Sequence, residues 1–306
     1  MRIFLPGFGL LFALALPAAA DPLRDAALQT FGPLPSAPDA APALLHLGQT
    51  LFADTRLSAS GTQSCAGCHD IARGGADGQE VAEGHSWQTA PRNTSTVLNA
   101  TLNTSHSWDL LESAEAPALS GLRKMGAEGQ LAALKADADL SQAFAAAFPD
   151  QADPVTLDAA ATAIDAWLAT LLTPAPFDAW LAGDDAALPA EAKAGLQLFI
   201  DRGCSLCHYG LNVGGDGYYP FGLVEAPGDA GFALSDTSDA GLDFRVAPLR
   251  NVGLTAPYFH SGKIADLSVA VSVMAESQLG MPLAPEETAQ IVAFLNSLSG
   301  TPPGTP

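Results

Sequence analysis

Apolar side chains recur every three to four residues along several stretches of the chain, which is the spacing of one face of an α-helix. Leu157, Ile164 and Leu171 mark one such face, and Thr173-Pro174 is expected to end this helix. No alternating run of apolar and polar residues is long enough to predict more than short strand pairings. The pattern therefore predicts a mainly α fold with little β structure.

Further helices are predicted from the same spacing and from prolines at helix starts. One follows Pro189, one occupies residues 266–279, and one begins at Pro285 and stops near Gly300. Long loops rich in Gly, Ser and Asp separate the helices, notably 54–64, 70–84 and 210–243. Loops of this length in a compact domain usually carry function.

The chain contains a degenerate internal repeat. Gly48-Gln49-Thr50-Leu51-Phe52-Ala53-Asp54 and Gly195-Leu196-Gln197-Leu198-Phe199-Ile200-Asp201 each precede a cysteine pair and are interpreted as the end of a helix. Two related domains in tandem explain the repeat most simply. We assign residues 21–172 to an N-terminal domain and 173–306 to a C-terminal domain.

The first twenty residues are predicted to be a cleavable signal peptide. Arg2 supplies the charge, residues 3–16 form a short apolar run, and Ala18-Ala19-Ala20 fits the cleavage pattern. That run is too short to cross a bilayer, and no later stretch reaches the 18 or so apolar residues that a membrane helix needs. We expect export to the periplasm and no membrane anchor.

Composition restricts the class of protein further. Hydrophobic residues make up 48% of the 306 residues and charged ones 15%, which excludes intrinsic disorder for most of the chain. The net charge of −20 argues against nucleic acid and anionic lipid as partners, because both attract Lys and Arg clusters. A basic protein partner is the natural counterpart.

The four cysteines form two pairs, Cys65-Ala66-Gly67-Cys68-His69 and Cys204-Ser205-Leu206-Cys207-His208. Two disulfides or a redox-active dithiol would be the ordinary interpretation in an exported protein. Neither of these requires a histidine directly after the second cysteine. The C-x-x-C-H motif attaches c-type haem through two thioethers, and its histidine ligates the iron. The sequence therefore predicts two covalent haem c groups, with His69 and His208 on iron.

The second axial ligand of each iron stays open on residue chemistry alone. Imidazole gives a lower reduction potential, whereas thioether sulfur favours Fe(II) and raises it. The candidates are His46, His85, His106, His260, Met125, Met274 and Met281.

Several further strings carry a resemblance to a known family. With its two C-x-x-C-H motifs, the chain from about Leu44 to Gly300 resembles the bacterial di-haem cytochrome c peroxidases, which include the MauG-like enzymes. The strings are Leu57-Ser58-Ala59-Ser60-Gly61, Pro91-Arg92-Asn93, Thr96-Val97-Leu98-Asn99, Tyr218-Tyr219-Pro220-Phe221-Gly222, Leu249-Arg250-Asn251-Val252, Thr255-Ala256-Pro257-Tyr258-Phe259-His260-Ser261-Gly262 and Gln278-Leu279-Gly280.

The resemblance implies different tasks for the two haems. The N-terminal haem is the peroxidatic, low-potential one, and His85 matches the distal histidine that caps it in the resting state. The C-terminal haem accepts electrons at high potential, and Met274 matches its methionine ligand. Trp108 matches the tryptophan that lies between the haems and assists electron transfer.

The same resemblance implies a calcium ion between the domains and particular partners. Asn93 matches a side-chain oxygen ligand, and the backbone carbonyls of Thr255 and Pro257 match two more. The substrate implied is hydrogen peroxide, and the electron donor is a small c-type cytochrome or cupredoxin, which here should be basic. Members of the family often form homodimers.

The chain departs from the family pattern where the peroxide chemistry is expected. A base must move a proton between the peroxide oxygens, and the family supplies a glutamate just before a methionine. Here the matching string is Arg123-Lys124-Met125, and a protonated lysine is not a base. Glu128 is the predicted replacement, with Glu112 and Glu115 as alternatives in the same altered loop.

Three functions follow from this comparison with the family. The leading hypothesis is a periplasmic di-haem peroxidase that reduces hydrogen peroxide to water. Lys124 motivates a second hypothesis, a peroxidase-inactive relative that only transfers electrons. A third is a MauG-like oxidant of a protein substrate; Met274 argues against it, because the MauG-like branch has tyrosine at that position.

Overall fold

A computed structural model describes residues 21–84, 92–109, 117–224 and 243–303. Within these ranges the α-helices are α1 (Pro22–Thr30), α2 (Pro42–Phe52), α3 (Cys65–Cys68), α4 (Pro117–Lys124), α5 (Leu131–Ala136), α6 (Ala138–Ala147), α7 (Leu157–Leu168), α8 (Pro176–Leu181), α9 (Ala190–Asp201), α10 (Leu267–Leu279) and α11 (Pro285–Ser297). Short 3-10 turns lie at Thr55–Leu57, Ile71–Arg73, Ala100–Leu102, Ala127–Gln130, Cys204–Leu206 and Val252–Leu254.

The strand content of the described ranges is small. Strand β1 (Tyr218–Pro220) pairs antiparallel with β2 (Asp243–Arg245), and Tyr219 lies opposite Phe244. A single bridge from Asp109 also reaches Phe244. The prediction of a mainly α fold with little β structure is confirmed. Within the described residues, no helix is both long and apolar enough to cross a membrane.

The internal repeat marks the same helix crossing in each half of the molecule. In the first half α2 crosses α7, and a side chain at Gly48 would overlap the carbonyl oxygen of Ala163. In the second half α9 crosses α11, and a side chain at Gly195 would overlap the carbonyl oxygen of Gln290. Each glycine of the repeat therefore permits two helix backbones to approach closely.

One aromatic contact accompanies each crossing. Phe52 of α2 lies 4.8 Å from the ring of Trp167, and Phe199 of α9 lies 5.3 Å from the ring of Phe294. These phenylalanines occupy equivalent positions of the repeat, four residues after its glycine. The repeat thus encodes a helix-packing unit that precedes the cysteine motif in each half.

Two hydrophobic clusters form the cores. The first spans Leu47 to Leu171, and the second gathers residues from Phe177 to Leu298. Ala27 and Phe31 join the second cluster, where Phe31 packs edge-on against Phe177 at 5.8 Å. Helix α1 therefore packs with the C-terminal half, although its sequence precedes the N-terminal half. The domain boundary between residues 172 and 173 stays a prediction.

Helix α7 ends at Leu168, so the prediction that it continues to Thr173-Pro174 is wrong. Asn99 is the physical reason, because it binds the backbone beyond the helix. Its N–H donates to the Leu171 carbonyl at 3.0 Å, and its side-chain oxygen accepts the Thr173 N–H at 2.9 Å. These bonds satisfy the backbone in a non-helical path.

Thr173 lies at a buried polar joint between the two halves. Its hydroxyl oxygen accepts from the side-chain amides of Asn99 and Asn251, each at 2.8 Å. Both asparagines are buried, both have positive φ, and each precedes a 3-10 turn. The Asn251 amide oxygen also accepts the Gly300 N–H at 3.1 Å. The 3-10 turns that follow Asn99 and Asn251 are thus both connected to the Thr173 hydroxyl.

Candidate functional site

The first cysteine motif forms a short helix that turns its histidine inwards. The His69 N–H donates to the Cys65 carbonyl at 2.8 Å, and the ring Nδ1 lies 3.3 Å from the Gly75 carbonyl oxygen. A carbonyl only accepts, so Nδ1 carries the proton in this bond and Nε2 is left as the metal-binding nitrogen. Burial lowers the pKa of His69, which favours the neutral imidazole that ligates a metal.

The second motif forms the 3-10 turn Cys204–Leu206, which follows α9. Burial lowers the pKa of His208 to about 4, so its imidazole is neutral at physiological pH. The ring Nδ1 is buried and makes no hydrogen bond, although the Val213 and Ala247 carbonyls lie close to the ring. His208 is thus neutral, with two backbone carbonyls near its ring.

The four cysteines are unpaired thiols in the described structure. Burial raises the pKa of Cys65 and of Cys204 to about 11, and it raises the pKa of Cys68 and Cys207 as well. Redox-active C-x-x-C pairs depend on a lowered thiol pKa. The environment therefore does not fit a dithiol oxidoreductase, which leaves attachment chemistry as the better interpretation.

A large apolar cavity opens beside the second motif. It contains about 1360 Å³ not occupied by protein atoms, part of it open solvent. Cys204, Cys207 and His208 contribute to one wall, and Met274 of α10 also lines it. Aromatic side chains from β1, β2 and residues 258–259 cover further parts: Tyr219, Phe221, Phe244, Tyr258 and Phe259. Apolar walls, attachment thiols, an imidazole and a thioether fit a haem c group.

Trp108 lines the same cavity, on the side nearest the first half. Its indole N–H donates to the Asn93 carbonyl at 2.8 Å, and the Arg245 guanidinium lies 5.7 Å from its ring centroid. The Trp108 carbonyl accepts the Arg245 N–H at 2.8 Å. The structure therefore joins Trp108 to both predicted site regions, while its role in electron transfer stays a prediction.

Asn93 is one of the three predicted calcium ligands, and its backbone and side-chain nitrogens are both hydrogen-bonded. Its side-chain nitrogen donates to the carbonyls of Gln79 and Glu80, at 2.8 and 3.3 Å. This leaves Oδ1 as the oxygen available to a cation. The Asn93 N–H donates to the His260 carbonyl at 2.9 Å, which brings it near the 255–262 segment carrying Thr255 and Pro257. Calcium ligation by these three residues stays a prediction.

The predicted peroxide site in the first half is described only in part. His85, Glu112 and Glu115 lie outside the described residues. Glu128 is exposed in the turn Ala127–Gln130, and Lys124 is exposed at the end of α4. The Met125 carbonyl accepts the Ala59 N–H at 2.8 Å, which fastens this segment beside the first motif.

Sequence reasoning missed the polar residues behind Trp108 and Phe244. Arg92 pairs with Asp109 at 3.2 Å, and its guanidinium lies 5.3 Å from the Phe244 ring. The His260 ring stacks on the Phe244 ring, with 3.9 Å between the ring centroids and 13° between the ring planes. The sequence pointed to Arg92 and His260 only through the family strings that contain them, Pro91-Arg92-Asn93 and Thr255 to Gly262.

Comparisons with known proteins find similar sequences. The sequence model of the family described as di-haem cytochrome c peroxidase matches residues 42–186. Cytochrome c551 peroxidase of Pseudomonas aeruginosa is 45% identical over 98% of this chain and 93% of that protein. Methylamine utilization protein MauG of Methylorubrum extorquens is 31% identical over 88% of this chain and 82% of that protein.

A similar solved structure supports the fold. The crystal structure of a MauG-like protein associated with microbial copper homeostasis has a TM-score of 0.72 and 25% sequence identity. The match covers 88% of this chain and 93% of that one.

Proposed function

Since the chain belongs to the di-haem cytochrome c peroxidase family, we propose that it reduces hydrogen peroxide to water with electrons from a small protein donor. Each peroxide consumes two electrons and two protons and yields two waters. Family membership implies two haem c groups, which supply the redox chemistry when bound. The enzyme class is oxidoreductase acting on peroxide, as in its named relatives.

The observation that carries the proposal is the shared cavity of His208, Met274 and Trp108. In the proposal, Cys204 and Cys207 would attach the second haem, and His208 and Met274 would supply the nitrogen and sulfur that bind its iron. Thioether ligation raises the reduction potential, which suits a site that accepts electrons from a donor. Trp108 then assists electron transfer towards the first half.

The first half is proposed to carry the peroxide chemistry. Cys65 and Cys68 would attach its haem, His69 would bind the iron, and His85 would be the second ligand, whose release would admit peroxide. A carboxylate must take the proton from one peroxide oxygen and return it to the other. Glu128 is the proposed base because it lies three residues after Met125, in the segment that Ala59 holds beside the first motif.

The donor is proposed to bind where the second motif reaches the surface. Leu206, within that motif, is 76% exposed, and Tyr209, Leu211 and Leu28 are exposed nearby. Asp25 lies one helical turn before Leu28, and the whole chain carries a net charge of −20. An apolar contact with acidic surroundings suits a basic cytochrome or cupredoxin.

Salt and substitution test this donor surface separately. Added salt should lower the rate with a basic donor, because screening weakens electrostatic steering. Leu206→Glu should raise KM for the donor and leave KM for peroxide unchanged. Val269→Glu is the matched control, since Val269 is also exposed but lies on α10. Equal effects of the two variants would contradict the proposed surface.

Calcium and the periplasmic location complete the proposal. We propose that Asn93 Oδ1 and the Thr255 and Pro257 carbonyls bind one calcium ion, whose oxygen ligands fit this cation. Residues 1–20 are proposed to direct export, after which the donor is met in the periplasm. Removing calcium from the holoprotein should abolish peroxide turnover, and turnover that survives complete removal would contradict a required ion.

Steady-state peroxide reduction tests the central activity. The half-reduced holoprotein is mixed with peroxide and a reduced c-type cytochrome, and visible spectra are recorded beside the rate. We expect turnover together with a high-spin N-terminal haem. A low-spin first haem without turnover would contradict the peroxidase proposal and favour an electron carrier.

Lys124 motivates that second candidate function, since it occupies the position of the family glutamate. The Lys124→Glu variant separates the two functions. An electron carrier should gain measurable peroxide turnover from this substitution if His85 can also leave. A peroxidase that uses Glu128 should instead be active as wild type and lose most of its turnover in Glu128→Gln.

The Met274 ligand is tested by comparing two methionines that line the same cavity. Met274→Leu should remove the sulfur-to-iron charge-transfer band and lower the potential of the second haem, within the ~0.8 V range that axial ligands span. Met281→Leu is the control, because Met281 also lines the cavity but is 37% exposed. If only Met281→Leu lost the band, Met281 and not Met274 would be the sulfur ligand.

A further inference from the structure

Arg245 is a buried cation on the wall of the second cavity. The residue is 4% exposed, and it follows Phe244 on β2. Nη1 donates to the Ser105 carbonyl at 3.0 Å, and Nη2 donates to the Ser95 hydroxyl at 3.3 Å. Nε is buried and has no hydrogen-bond partner among the described residues. Among the described residues, the Arg245 guanidinium, which has five N–H donors, is therefore hydrogen-bonded to two neutral oxygen atoms, those of Ser105 and Ser95.

Within the described part of the chain, Arg245 has no carboxylate at ion-pair distance. The ionisable groups that face it are Asp216, Tyr218 and His106. Asp216 is already bound by Thr104, through its N–H at 3.0 Å and its hydroxyl at 2.6 Å. Burial lowers the pKa of Arg245 to about 10, so the side chain is still a cation at neutral pH.

Arg250 shows how the same half treats another buried arginine. Its side chain is fully buried, and it makes a two-pronged ion pair with Asp178 at 2.7 and 2.8 Å. A buried charge without a partner is destabilising by several kcal/mol. The described residues thus supply a counter-ion to Arg250 and none to Arg245, although both arginines are buried.

The position of Arg245 indicates where its counter-ion comes from. It lines the cavity that also contains His208 and Met274, and it lies over Trp108. A haem carries two propionate carboxylates, and arginine binds a carboxylate through parallel hydrogen bonds. We propose that Arg245 binds a propionate carboxylate of the haem attached at Cys204 and Cys207. This assignment rests on the haem site of the proposed function.

Two consequences follow for the second haem. A propionate held by a guanidinium stays ionised to lower pH than a free carboxylate, because the cation favours the charged form. The fixed positive charge also opposes the additional positive charge of ferric iron and so raises the reduction potential. Arg245 is therefore a positioning residue, which acts on the iron through the propionate.

The test compares the holoprotein with Arg245→Gln and with Arg24→Gln. Arg24 also lies over a tryptophan, Trp180 at 5.0 Å, but it pairs with Asp185 and is not among the residues lining the cavity. The two variants lose the same charge. We expect Arg245→Gln to lower the reduced-to-oxidised ratio of the second haem about tenfold at a fixed potential, about 59 mV for one electron. Arg24→Gln should leave it unchanged.

The pH dependence of that potential gives a second readout. In Arg245→Gln the released propionate should titrate in the ordinary carboxylate range, so the potential should rise as the pH falls through that range. The wild type and Arg24→Gln should show no such dependence there. An Arg245→Gln protein with both haems attached, an unchanged potential and no added pH dependence would overturn the proposal.

A measurement on the unmodified protein keeps the proposal falsifiable if the variant does not mature. Haem labelled with ¹³C at the propionate carboxyls is incorporated, and redox-difference infrared spectra are recorded while only the second haem changes state. A carboxylate band that persists below the ordinary carboxylate pKa supports the proposal, and one that protonates at the ordinary pKa overturns it. Failure of the wild type to attach haem at Cys204 and Cys207 would instead overturn the proposed function.

Discussion

His69 and His208 end the same five-residue motif, but their rings lie in different surroundings. The Nδ1 of His69 lies 3.3 Å from the Gly75 carbonyl, whereas the Nδ1 of His208 is buried without a hydrogen bond. A hydrogen bond from Nδ1 makes imidazole a stronger donor to its metal. We predict that, with both haems bound, this difference would favour ferric iron, and therefore a lower potential, in the first half.

The two halves also differ in how their sites are closed. The second site is enclosed by packed aromatic residues and by α10, which is anchored by Asp266 at its first turn. The first site depends on polar loops around 70–84 and on the segment that Met125 fastens to Ala59. Among the described residues, the second site is therefore lined mainly by apolar side chains, whereas hydrogen-bonded loop segments lie beside the first motif.

The largest effect should come from breaking the buried ion pair of the second half. Asp178→Asn leaves the Arg250 guanidinium buried without a counter-ion and should lower the free energy of unfolding by about 3–5 kcal/mol. Asp153→Asn is the control in the first half, because its pair with Lys135 is exposed and worth at most about 1 kcal/mol. Urea unfolding of the holoproteins measures both, and similar losses would contradict the comparison.

A smaller effect is expected at the joint between the halves. Asn99→Gly and Asn251→Gly retain the positive φ but remove side-chain bonds to Thr173, so each should lower the unfolding free energy by about 1–3 kcal/mol. The double variant should lose less than the sum, because both amides serve one hydroxyl. Strict additivity in urea unfolding would show that Thr173 does not couple the halves.

The smallest effect concerns Asp165 of α7 in the first half. Burial raises the pKa of Asp165, whose carboxylate accepts the Ala118 N–H at the start of α4. Between pH 3.8 and the raised pKa the folded state binds more protons than the unfolded state, so stability falls as the pH rises through this window. Asp165→Asn should thus stabilise the protein at neutral pH and not below pH 3.8.

Unfolding midpoints of the wild type and Asp165→Asn at the two pH values provide the measurement. Asn keeps an oxygen acceptor for the Ala118 N–H, so the substitution removes the titrating group but retains a hydrogen-bond acceptor at this place. A gain that is equal at both pH values would exclude titration of Asp165 as the cause.

Features that depend on adjacent residues could be predicted from the sequence. The two C-x-x-C-H motifs are read directly, and the helices after Pro189 and at Pro285 begin where proline at a helix start predicts. The helix predicted at residues 266–279 is present as Leu267–Leu279. Met274 follows from the family register and lines the cavity of His208, while its ligation of iron stays a prediction.

Features that depend on distant residues could not be predicted. The end of α7 is set by Asn99, 74 positions before Thr173, and Arg250 finds Asp178 across 72 positions. Nothing in the local sequence distinguishes Arg245, which has no carboxylate partner among the described residues, from Arg250, which pairs with Asp178. The identity of the peroxide base could not be predicted either, because the altered string Arg123-Lys124-Met125 does not fix how this segment aligns with the family.

The packing of α1 determines the order in which the molecule can be completed during synthesis. All buried residues of the first cluster are available once Leu171 has been made, so that half can fold as the chain emerges. Phe31 must wait for Phe177, Phe199 and Phe294, which are synthesised much later. The first helix of the described chain is therefore among the last to find its partners, and a stalled ribosome would leave its apolar face exposed.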